Sequence, residues 1–443
     1  MASEHLRVVA IDFGASSIRV CRVELGDGRA RVETVHRYEH APVRSADGHW
    51  RWDWSRLIGE VERGLERAVD AGPVASIGVD TWGVDYGLLD HRGELLEPPF
   101  SYRDARTNEY HDVVTRVGAE RLWELTGLQE LPFNTIFQLA AHDRDQLARA
   151  STVLMLPELV VHHLTGAVTG EFTSAGTTGL LRLDVRDWSD ELCDAIGIDR
   201  GLLPELQPAT TRVGAWRGVP VHLVGGHDTA SAVFAGAARG DALESSGTWL
   251  IVGCEQDHAD LTDTTRVRGF SNEQGVFGDI RLVRNVAGWW LVEECRRAWG
   301  GPDLDALLDD ATAVTGDVPI VDVADERFLA PPDMDTALRE AGGLDTGASR
   351  AAVIRTAVES MAASTADVVA SLPSARGIRV FGGGARSELY LDALRRRSGL
   401  RVTATAIEAT ALGNALVQGV ALGVYSSPLE ARATQSAHEQ VAT

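Results

Sequence analysis

Two short segments of the chain each combine glycine and hydroxyl side chains directly beside an apolar strand. The first is Asp12-Phe13-Gly14-Ala15-Ser16-Ser17, which follows the apolar run at 8–11, and the second covers residues 245–253. A turn of this composition can direct backbone N–H groups and hydroxyls toward a phosphate group. Two such turns in one chain predict two related domains that hold one polyphosphate from both sides.

Length, charge and cysteine content limit the classes of protein. A chain of 443 residues is expected to form two or three domains. A formal net charge of −22 argues against a general surface for nucleic acid or anionic membrane, so local groups must hold any anionic ligand. The four cysteines are scattered, which indicates reduced thiols in the cytoplasm and no zinc site. The polar start of the chain shows no signal peptide, and no apolar run approaches membrane-spanning length.

The sequence contains no lysine, so arginine supplies all of its Lys+Arg total. This excludes a P-loop lysine, the strand lysine of protein kinases and a Schiff-base lysine. A phosphoryl-transfer enzyme of this composition would have to align and neutralise its phosphates with backbone N–H groups, such as those around Gly14 and Gly247.

The order of expected elements repeats in outline between the two halves of the chain. Residues 7–35 alternate as an antiparallel meander, residues 55–71 have helical spacing, and a strand follows at 74–80. The second half repeats this order, with a strand pair around Gly247, helices at about 287–299 and 350–370, a strand at 378–381, a helix at 387–397, a strand at 400–404 and a helix at 409–422. We expect an α/β architecture with an N-terminal domain over 1–239, a C-terminal domain over 240–427 and a loosely held tail over 428–443.

Two aspartates are candidates for the chemistry of phosphoryl transfer. Asp12 ends the first apolar strand and could hold a divalent cation, Mg²⁺, through water. Asp228 lies at a strand-to-helix junction after Gly225-Gly226-His227, where it could cap the helix or act as a general base toward an attacking hydroxyl. The spacing of the residues leaves these two roles of Asp228 open.

A candidate sugar site lies at Asp80-Thr81-Trp82-Gly83-Val84-Asp85. It offers an aromatic face, carboxylates and a glycine at which a ligand could meet the backbone; the alternative is a buried strand with a bulge at Gly83. Asn285 is expected at the start of a helix, where capping is the simpler role. The triple glycine Gly382–Gly384 follows a strand and could let a flat group such as adenine lie against the backbone.

Taken together, these segments resemble the FGGY carbohydrate kinases and, within that family, the rhamnulokinase branch. The matching segments are DFGASS (12–17), DTWGVDYGLLD (80–90), YRDARTN (102–108), LPFNT (131–135), GGHDTASAV (225–233), SSGTW (245–249), ERFLAPPDM (326–334), GGG (382–384) and EATALGN (408–414). They occur in order over nearly the whole chain. The resemblance implies two ribonuclease-H-like domains of the actin and hexokinase type flanking a deep cleft. The implied reaction transfers the γ-phosphoryl group of ATP to the 1-hydroxyl of L-rhamnulose.

The resemblance also implies roles for individual residues. Asp228 would be the catalytic base, with Gly83, His227, Asp228, Thr229 and Asn285 contacting the sugar; the residue pattern adds Asp80 and Trp82 to this set. The residues expected to contact ATP are Gly14, Ala15, Ser16, Ser17, Ile18, Gly247, Thr248, Glu293, Gly382, Gly383 and Gly384.

Four departures from the family pattern lie on the nucleotide side. Ile18 stands where glycine is frequent, Ser387 where asparagine is usual, Thr405-Ala406 where Gly-Pro is expected, and Glu293 where a glutamine helps to hold ATP. We expect the Glu293 carboxylate to point away from the phosphates or to face the ribose. These departures keep other functions open, namely a kinase for L-fuculose or L-xylulose, a sugar-binding regulator without turnover, and an actin-like ATPase.

Overall fold

The computed structural model of the chain describes residues 6–26, 29–328, 331–373, 375–405 and 408–439. Of the segments that carry the family resemblance, residues 329–330 of ERFLAPPDM lie outside this range, as does Ala406 of the expected nucleotide side. Contacts between Cα atoms divide the chain into two compact units. The first comprises 1–235, 256–281 and 408–443, and the second comprises 236–255 and 282–407.

The strands and helices are numbered in chain order. The strands are β1 (Leu6–Phe13), β2 (Ser17–Gly26), β3 (Arg29–Glu39), β4 (Val43–Arg44), β5 (Trp50–Arg51), β6 (Ser76–Thr81), β7 (Tyr86–Leu89), β8 (Thr152–Met155), β9 (Gly170–Glu171), β10 (Leu181–Arg182), β11 (Asp187–Trp188), β12 (Leu206–Gln207), β13 (Arg212–Trp216), β14 (Val219–His222), β15 (Ala242–Ser246), β16 (Trp249–Gln256), β17 (Ser271–Gln274), β18 (Ile280–Ala287), β19 (Gly377–Phe381) and β20 (Arg401–Ala404). The α-helices are α1 (Trp54–Asp70), α2 (His111–Val117), α3 (Ala119–Thr126), α4 (Thr135–Ala140), α5 (Arg144–Arg149), α6 (Leu156–Thr165), α7 (Phe172–Ala175), α8 (Asp190–Ile196), α9 (Asp228–Gly236), α10 (Asp263–Val267), α11 (Trp290–Ala298), α12 (Leu304–Thr312), α13 (Met334–Gly342), α14 (Arg350–Ala370), α15 (Glu388–Ser398), α16 (Ala409–Ala421) and α17 (Pro428–Glu439). Single 3-10 turns lie at Ala105–Thr107, Arg200–Leu202, Glu326–Phe328 and Gly383–Arg386.

The first unit is built on a sheet in the order β13-β14-β6-β1-β2-β3. Strands β1, β2 and β3 form the antiparallel meander that the alternation of the sequence predicts. Strands β6 and β14 then add parallel to β1, which brings the carboxyl ends of three consecutive strands to one edge of the sheet. Apolar side chains of the sheet and of α1 and α6 form a continuous core on one face of this sheet.

The second unit repeats this arrangement. Its strands follow the order β18-β16-β15-β19-β20, with β15 antiparallel to β16 and parallel to β19, and with β19 parallel to β20. The corresponding order in the first unit is β3-β2-β1-β6-β14, so each unit places three strands of a meander beside two added strands. The long helix α14 packs against α12 and α15 within this unit.

Two features of the first unit differ from the predicted domain ranges. Helix α16 packs on β1, β2 and β6, so residues 408–421 belong with the first unit although the sequence prediction placed them in a C-terminal domain over 240–427. The predicted loose tail instead contains helix α17, which packs on α16 and β3 and fully buries the side chain of Ala431. Among the described residues, no helix is long and apolar enough to cross a membrane.

Candidate functional site

Three aspartates of the first unit converge at the carboxyl edge of its sheet. Asp12 and Asp80 are direct neighbours in register on the parallel strands β1 and β6. His227, which bridges to Thr81 at the end of β6, brings Asp228 to the same edge at the start of α9. The carboxyl edge of a mixed or parallel sheet is where α/β proteins usually bind ligands. These three residues were predicted as site residues from separate segments, and the fold brings them together.

Burial and mutual repulsion change the acidity of this aspartate cluster. Burial, opposed by the Arg19 guanidinium, raises the pKa of Asp12 to about 6. Burial, together with the charge of Asp12, raises the pKa of Asp228 to about 7 and that of Asp80 well above its ordinary value. Like charges held close together in a desolvated site disfavour ionisation of all members, so the cluster holds protons at neutral pH.

Arg19 is the cation that faces this cluster. Its Nη2 lies 2.5 Å from Asp12 Oδ2 and its Nη1 lies 2.6 Å from Glu408 Oε2. Asp80 is fully buried and accepts a hydrogen bond from Asn414 Nδ2 at 2.6 Å, while Gln418 donates to Asn414 Oδ1. Asp80 therefore lies behind Asp12, in contact with helix α16, whereas the sequence prediction placed it among the sugar contacts.

Asp228 does not have the hydrogen bonds of a helix cap. The backbone N–H groups of Ala230 and Ser231 donate to the carbonyl of His227, whereas a capping side chain would accept from these positions. The Asp228 carboxylate instead accepts from the backbone N–H of Thr229 at 2.5 Å and from its hydroxyl at 3.1 Å. Asp228 remains partly open to solvent, with 27% of its side chain exposed, so a ligand can reach it.

His227 is neutral and has a defined tautomer. Burial and the charge of Arg281 hold the pKa of His227 well below its ordinary value. Arg281 Nη2 lies 3.0 Å from His227 Nδ1, and because a guanidinium only donates, Nδ1 is the acceptor and Nε2 carries the proton. That Nε2 lies 3.5 Å from Asp228 Oδ1, while Arg281 is also paired with Glu273 at 2.8 Å. The Arg281–Glu273 pair thus fixes the imidazole beside the proposed base.

The candidate sugar loop is a turn between β6 and β7, whereas the sequence allowed a strand bulge at Gly83. A side chain at Gly83 would overlap Thr177, and Val84 has the left-handed φ of 69°. Trp82 is buried rather than open: its ring contacts Trp52 at 4.5 Å between centroids, and both indole N–H groups donate to Asp85. Burial raises the pKa of Asp85 to about 6 although four hydrogen bonds favour its ionised form. The loop is therefore held rigidly, with Gly83 at its partly exposed side.

The first phosphate loop is a tight turn, in which the Gly14 N–H donates to the Ser17 carbonyl at 3.0 Å and the Gly14 carbonyl contacts His40 Nε2 at 3.0 Å. Ala15, Ser16 and Ser17 are partly or fully exposed on this turn. Ile18 is fully buried in the core of the first unit, paired with Phe13 of β1. Its side chain therefore faces away from the loop, which corrects the expectation that Ile18 alters the phosphate-binding surface.

In the second unit, the two glycine-rich segments expected to contact ATP lie side by side. Ser245 and Phe381 are register partners at the ends of β15 and β19, so residues 246–249 and 382–384 follow the same edge. Ser246 accepts a hydrogen bond from Trp289 Nε1 at 3.1 Å, and the backbone N–H groups of Trp289 and Trp290 donate to the carbonyls of Gly247 and Thr248. Gly247 and Thr248 are exposed at this edge, where a phosphate could reach their N–H groups.

Two further predicted residues of the second unit have different environments. Asn285 lies inside strand β18, because helix α11 begins only at Trp290; the expected helix-start position was wrong. Glu293 lies on α11 and pairs with Arg296 at 2.9 Å, which keeps its carboxylate engaged on the helix surface. This pairing is in line with the expectation that Glu293 points away from phosphates.

Comparison with known proteins identifies the family. Family models described as the N-terminal and C-terminal domains of the FGGY family of carbohydrate kinases match residues 7–235 and 242–422. The chain belongs to the FGGY family of carbohydrate kinases. It is 34% identical to a rhamnulokinase of Pectobacterium carotovorum, over 95% of this chain and 89% of the relative, and 33% identical to a rhamnulokinase of Bacteroides thetaiotaomicron, over 94% and 90%.

Solved structures agree with the family fold. Xylulose kinase of Lactobacillus acidophilus matches with a TM-score of 0.81 at 15% identity, covering 96% of this chain and 91% of that one. Glycerol kinase of Plasmodium falciparum with ADP matches with a TM-score of 0.78 at 14% identity, covering 97% and 93%. At this identity the similarity concerns the fold. The chain is thus a two-domain α/β sugar kinase.

The sequence analysis missed the residues that support the site. These are Arg19, Glu171, Thr173, Arg281 and Asn414, each of which contacts a predicted residue or its backbone. Asn414 lies within the matched segment EATALGN, so the family resemblance marked its position without its partner Asp80. The other four gave no local signal, because their partners are brought to them only by the fold of the sheet.

Proposed function

We propose that this FGGY kinase is an ATP-dependent rhamnulokinase, which transfers the γ-phosphoryl group of ATP to the 1-hydroxyl of L-rhamnulose. The curated relatives that carry this name extend over almost the whole chain. We also propose a cytoplasmic location, which is supported by four cysteines that form no disulfide.

The observation that carries the mechanism is the environment of Asp228. It is a partly exposed carboxylate with a pKa of about 7, at the edge of the sheet where Asp12 and the Gly14 turn also lie. A general base is most effective when its pKa is close to the working pH. We propose that Asp228 accepts the proton of the sugar hydroxyl as that oxygen attacks the γ-phosphorus, while the bond to the leaving ADP oxygen breaks.

Phosphoryl transfer needs alignment and charge neutralisation more than covalent help from the protein. We propose that the exposed N–H groups of the Gly14 turn and of the Gly247 and Gly382–Gly384 segments bind the nucleotide, since the chain has no lysine for this purpose. Oriented N–H groups stabilise developing charge without reorganising during the reaction. His227 and Thr229 would hold the sugar hydroxyls beside Asp228.

The carboxylates of the cluster suit Mg²⁺, the metal ion that sugar kinases of this family use with ATP. Within the described residues no group of three or more His, Cys, Asp or Glu side chains is arranged to hold a metal ion. Mg²⁺ in kinases is commonly held by one or two carboxylates together with water and substrate phosphates, so a single Asp12 ligand fits this ion. When bound, it neutralises phosphate charge; we propose that Asp12 holds it.

A panel of ketoses tests the proposed substrate. Purified protein is given ATP, Mg²⁺ and either L-rhamnulose, L-fuculose or L-xylulose; ADP release is measured and the position of the new phosphate is determined by NMR. We expect the highest kcat/KM with L-rhamnulose and a 1-phosphate product. Turnover of another ketose alone would reject the substrate, and sugar-independent ATP hydrolysis would reject the kinase assignment.

The Asp228→Asn variant tests the base in the same assay. We expect kcat to fall on the order of 10²–10⁴-fold, because asparagine keeps the shape but cannot accept the proton. Calorimetric binding of sugar and ADP should persist. Asp143→Asn is the control: Asp143 starts α5 and accepts two backbone N–H bonds at 2.9 Å, so it is an aspartate with a purely structural role. Unchanged turnover in Asp228→Asn would remove Asp228 from the mechanism.

A further inference from the structure

The loop that carries Asp228 is held from beneath by two buried side chains of another segment. The backbone N–H of Gly226 donates to Glu171 Oε2 at 3.0 Å, and the backbone N–H of His227 donates to Thr173 Oγ1 at 3.0 Å. The Thr173 hydroxyl in turn donates to Glu171 Oε2 at 2.5 Å. Two consecutive N–H groups immediately before Asp228 therefore depend on side chains rather than on a neighbouring strand.

The opposite side of the same peptide is fixed by the sheet. The carbonyl of Gly226 accepts the backbone N–H of Thr81 at 2.8 Å, which joins the loop to the end of β6. Glu171 and Thr173 thus complete a clamp around a single peptide unit. Gly226 permits the close approach, because a Cβ there would lie 3.2 Å from Glu171 Oε2 and from Pro157 Cγ.

Maintaining a carboxyl group in this position is energetically unfavourable. Glu171 is 1% exposed and Thr173 is fully buried. Burial raises the pKa of Glu171 to about 7, opposed by the bonds from Thr173 and Gly226, and the Glu158 carboxyl group lies next to it, accepting the Glu171 N–H at 2.9 Å. A hydrophobic side chain would avoid this desolvation, so the site retains polar groups at the expense of stability.

We propose that Glu171 and Thr173 are positioning residues that set the direction of the Asp228 carboxylate by fixing the Gly226–His227 backbone. They lie behind the loop and reach the reaction only through it. Because a displacement of about 1 Å at a reacting group can lower a rate roughly 10²-fold, loss of this clamp is expected to affect kcat more than ligand binding. The kinetic part of this inference rests on the proposed function.

Three threonine variants separate positioning from general stability. Thr173→Val removes the hydroxyl at nearly constant volume, and Thr173→Ser retains it. Thr178→Val is the matched control, because Thr178 is 1% exposed and its hydroxyl also makes two buried bonds, to the carbonyl of Ala175 and from the N–H of Leu180. We expect Thr173→Val to lower kcat about 10- to 100-fold with little change in KM for ATP, and Thr173→Ser to restore it. Thr178→Val should lower the Tm similarly but retain kcat.

Hydrogen exchange provides a readout that does not depend on the substrate. In Thr173→Val we expect faster amide exchange in the peptide that contains 225–229, and no such change in Thr178→Val. Glu171→Gln, whose amide oxygen can replace Oε2 as acceptor, should stay close to wild type in both measurements. Equal losses of kcat in Thr173→Val and Thr178→Val, or unchanged exchange at 225–229, would overturn the positioning role. If the wild type phosphorylates no ketose but the exchange pattern holds, the proposed function fails and the clamp remains.

Discussion

Asp228 acquires the acidity of a general base from its neighbours. Burial is the largest cause of its raised pKa, the charge of Asp12 adds to it, and the two hydrogen bonds from Thr229 oppose it. The net result is a pKa of about 7, far above that of an ordinary aspartate. A small change in either the charge or the hydrogen bonds should therefore move the pH at which the kinase becomes active.

The pH dependence of activity follows from this pKa. A base with a raised pKa is protonated and inactive below that value, so kcat/KM for the ketose should fall about tenfold per pH unit on the acidic side of pH 7 and level off above it. Thr229→Val removes a hydroxyl that favours the ionised form, so its midpoint should move to higher pH. Rates measured from about pH 5 to pH 9 check both shifts. An acidic limb near pH 4, or an unmoved midpoint in Thr229→Val, would contradict this origin.

The sequence predicts the reactive residues better than their supports. Asp12 and Asp228 could be singled out because each ends or follows an apolar strand beside glycine. The clamp from Glu171 to Gly226 could not, since 55 positions separate the partners and neither segment has a distinctive local pattern. Trp82 was expected to offer an aromatic face, but the sequence cannot show that Trp52 would cover it.

At the scale of elements, the ends of parallel strands generate the candidate nucleotide surface of the second unit. The alternation of polar and apolar residues predicted β15 and β19, and their pairing then places two glycine-rich turns together. Asn285 shows where this approach failed: the apolar pattern continues through the end of β18, so the start of α11 was placed too early. Boundaries depend on turn geometry, which a periodic pattern does not encode.

Gly384 tests the packing of these turns. A Cβ at this position would overlap both Ser246 Oγ and Trp289 Nε1, which hydrogen-bond to each other. Gly384→Ala should displace this pair and weaken ADP binding about tenfold or more, in line with overpacking penalties of ~1–3 kcal/mol. Calorimetry with ADP and with the ketose measures the effect, and sugar binding should persist. Gly347→Ala, where a Cβ meets no atom within 4 Å, is the control. Equal ADP affinity in both variants would contradict the packing role.

Helix α17 offers a matched pair of positions on one element. Ala431 is fully buried with Leu25 and Tyr425 in its cluster, whereas Leu429 is 77% exposed. Ala431→Arg should lower the free energy of unfolding by at least about 2 kcal/mol, because it forces a charge into an apolar contact; Leu429→Arg should stay within about 0.5 kcal/mol. Denaturant unfolding of both variants measures the difference. Equal stability of the two would show that α17 contributes little, as the sequence-based expectation of a loose tail implied.

For the whole molecule, the sequence predicts the architecture well because the same strand order occurs twice. Apolar periodicity and the paired glycine turns indicate two α/β units, and the family comparison agrees with them. The assignment of 408–421 to the first unit was not predictable, since it depends on α16 packing on β1 and β6 and not on any break in composition. Proximity along the chain misassigned this helix.

Net charge leads to a prediction about nucleotide binding. The chain carries −22 and no lysine, so its long-range field repels an anionic nucleotide although local N–H groups attract it. Raising ionic strength from about 0.02 M to about 0.15 M shortens the Debye length to ~8 Å and screens this repulsion first. The KM for ATP should therefore fall or stay level as salt rises, while the KM for the uncharged ketose, the internal control, stays constant. Initial rates at fixed free Mg²⁺ measure both constants. A KM for ATP that rises with salt would show that arginine side chains, rather than backbone N–H groups, dominate nucleotide attraction.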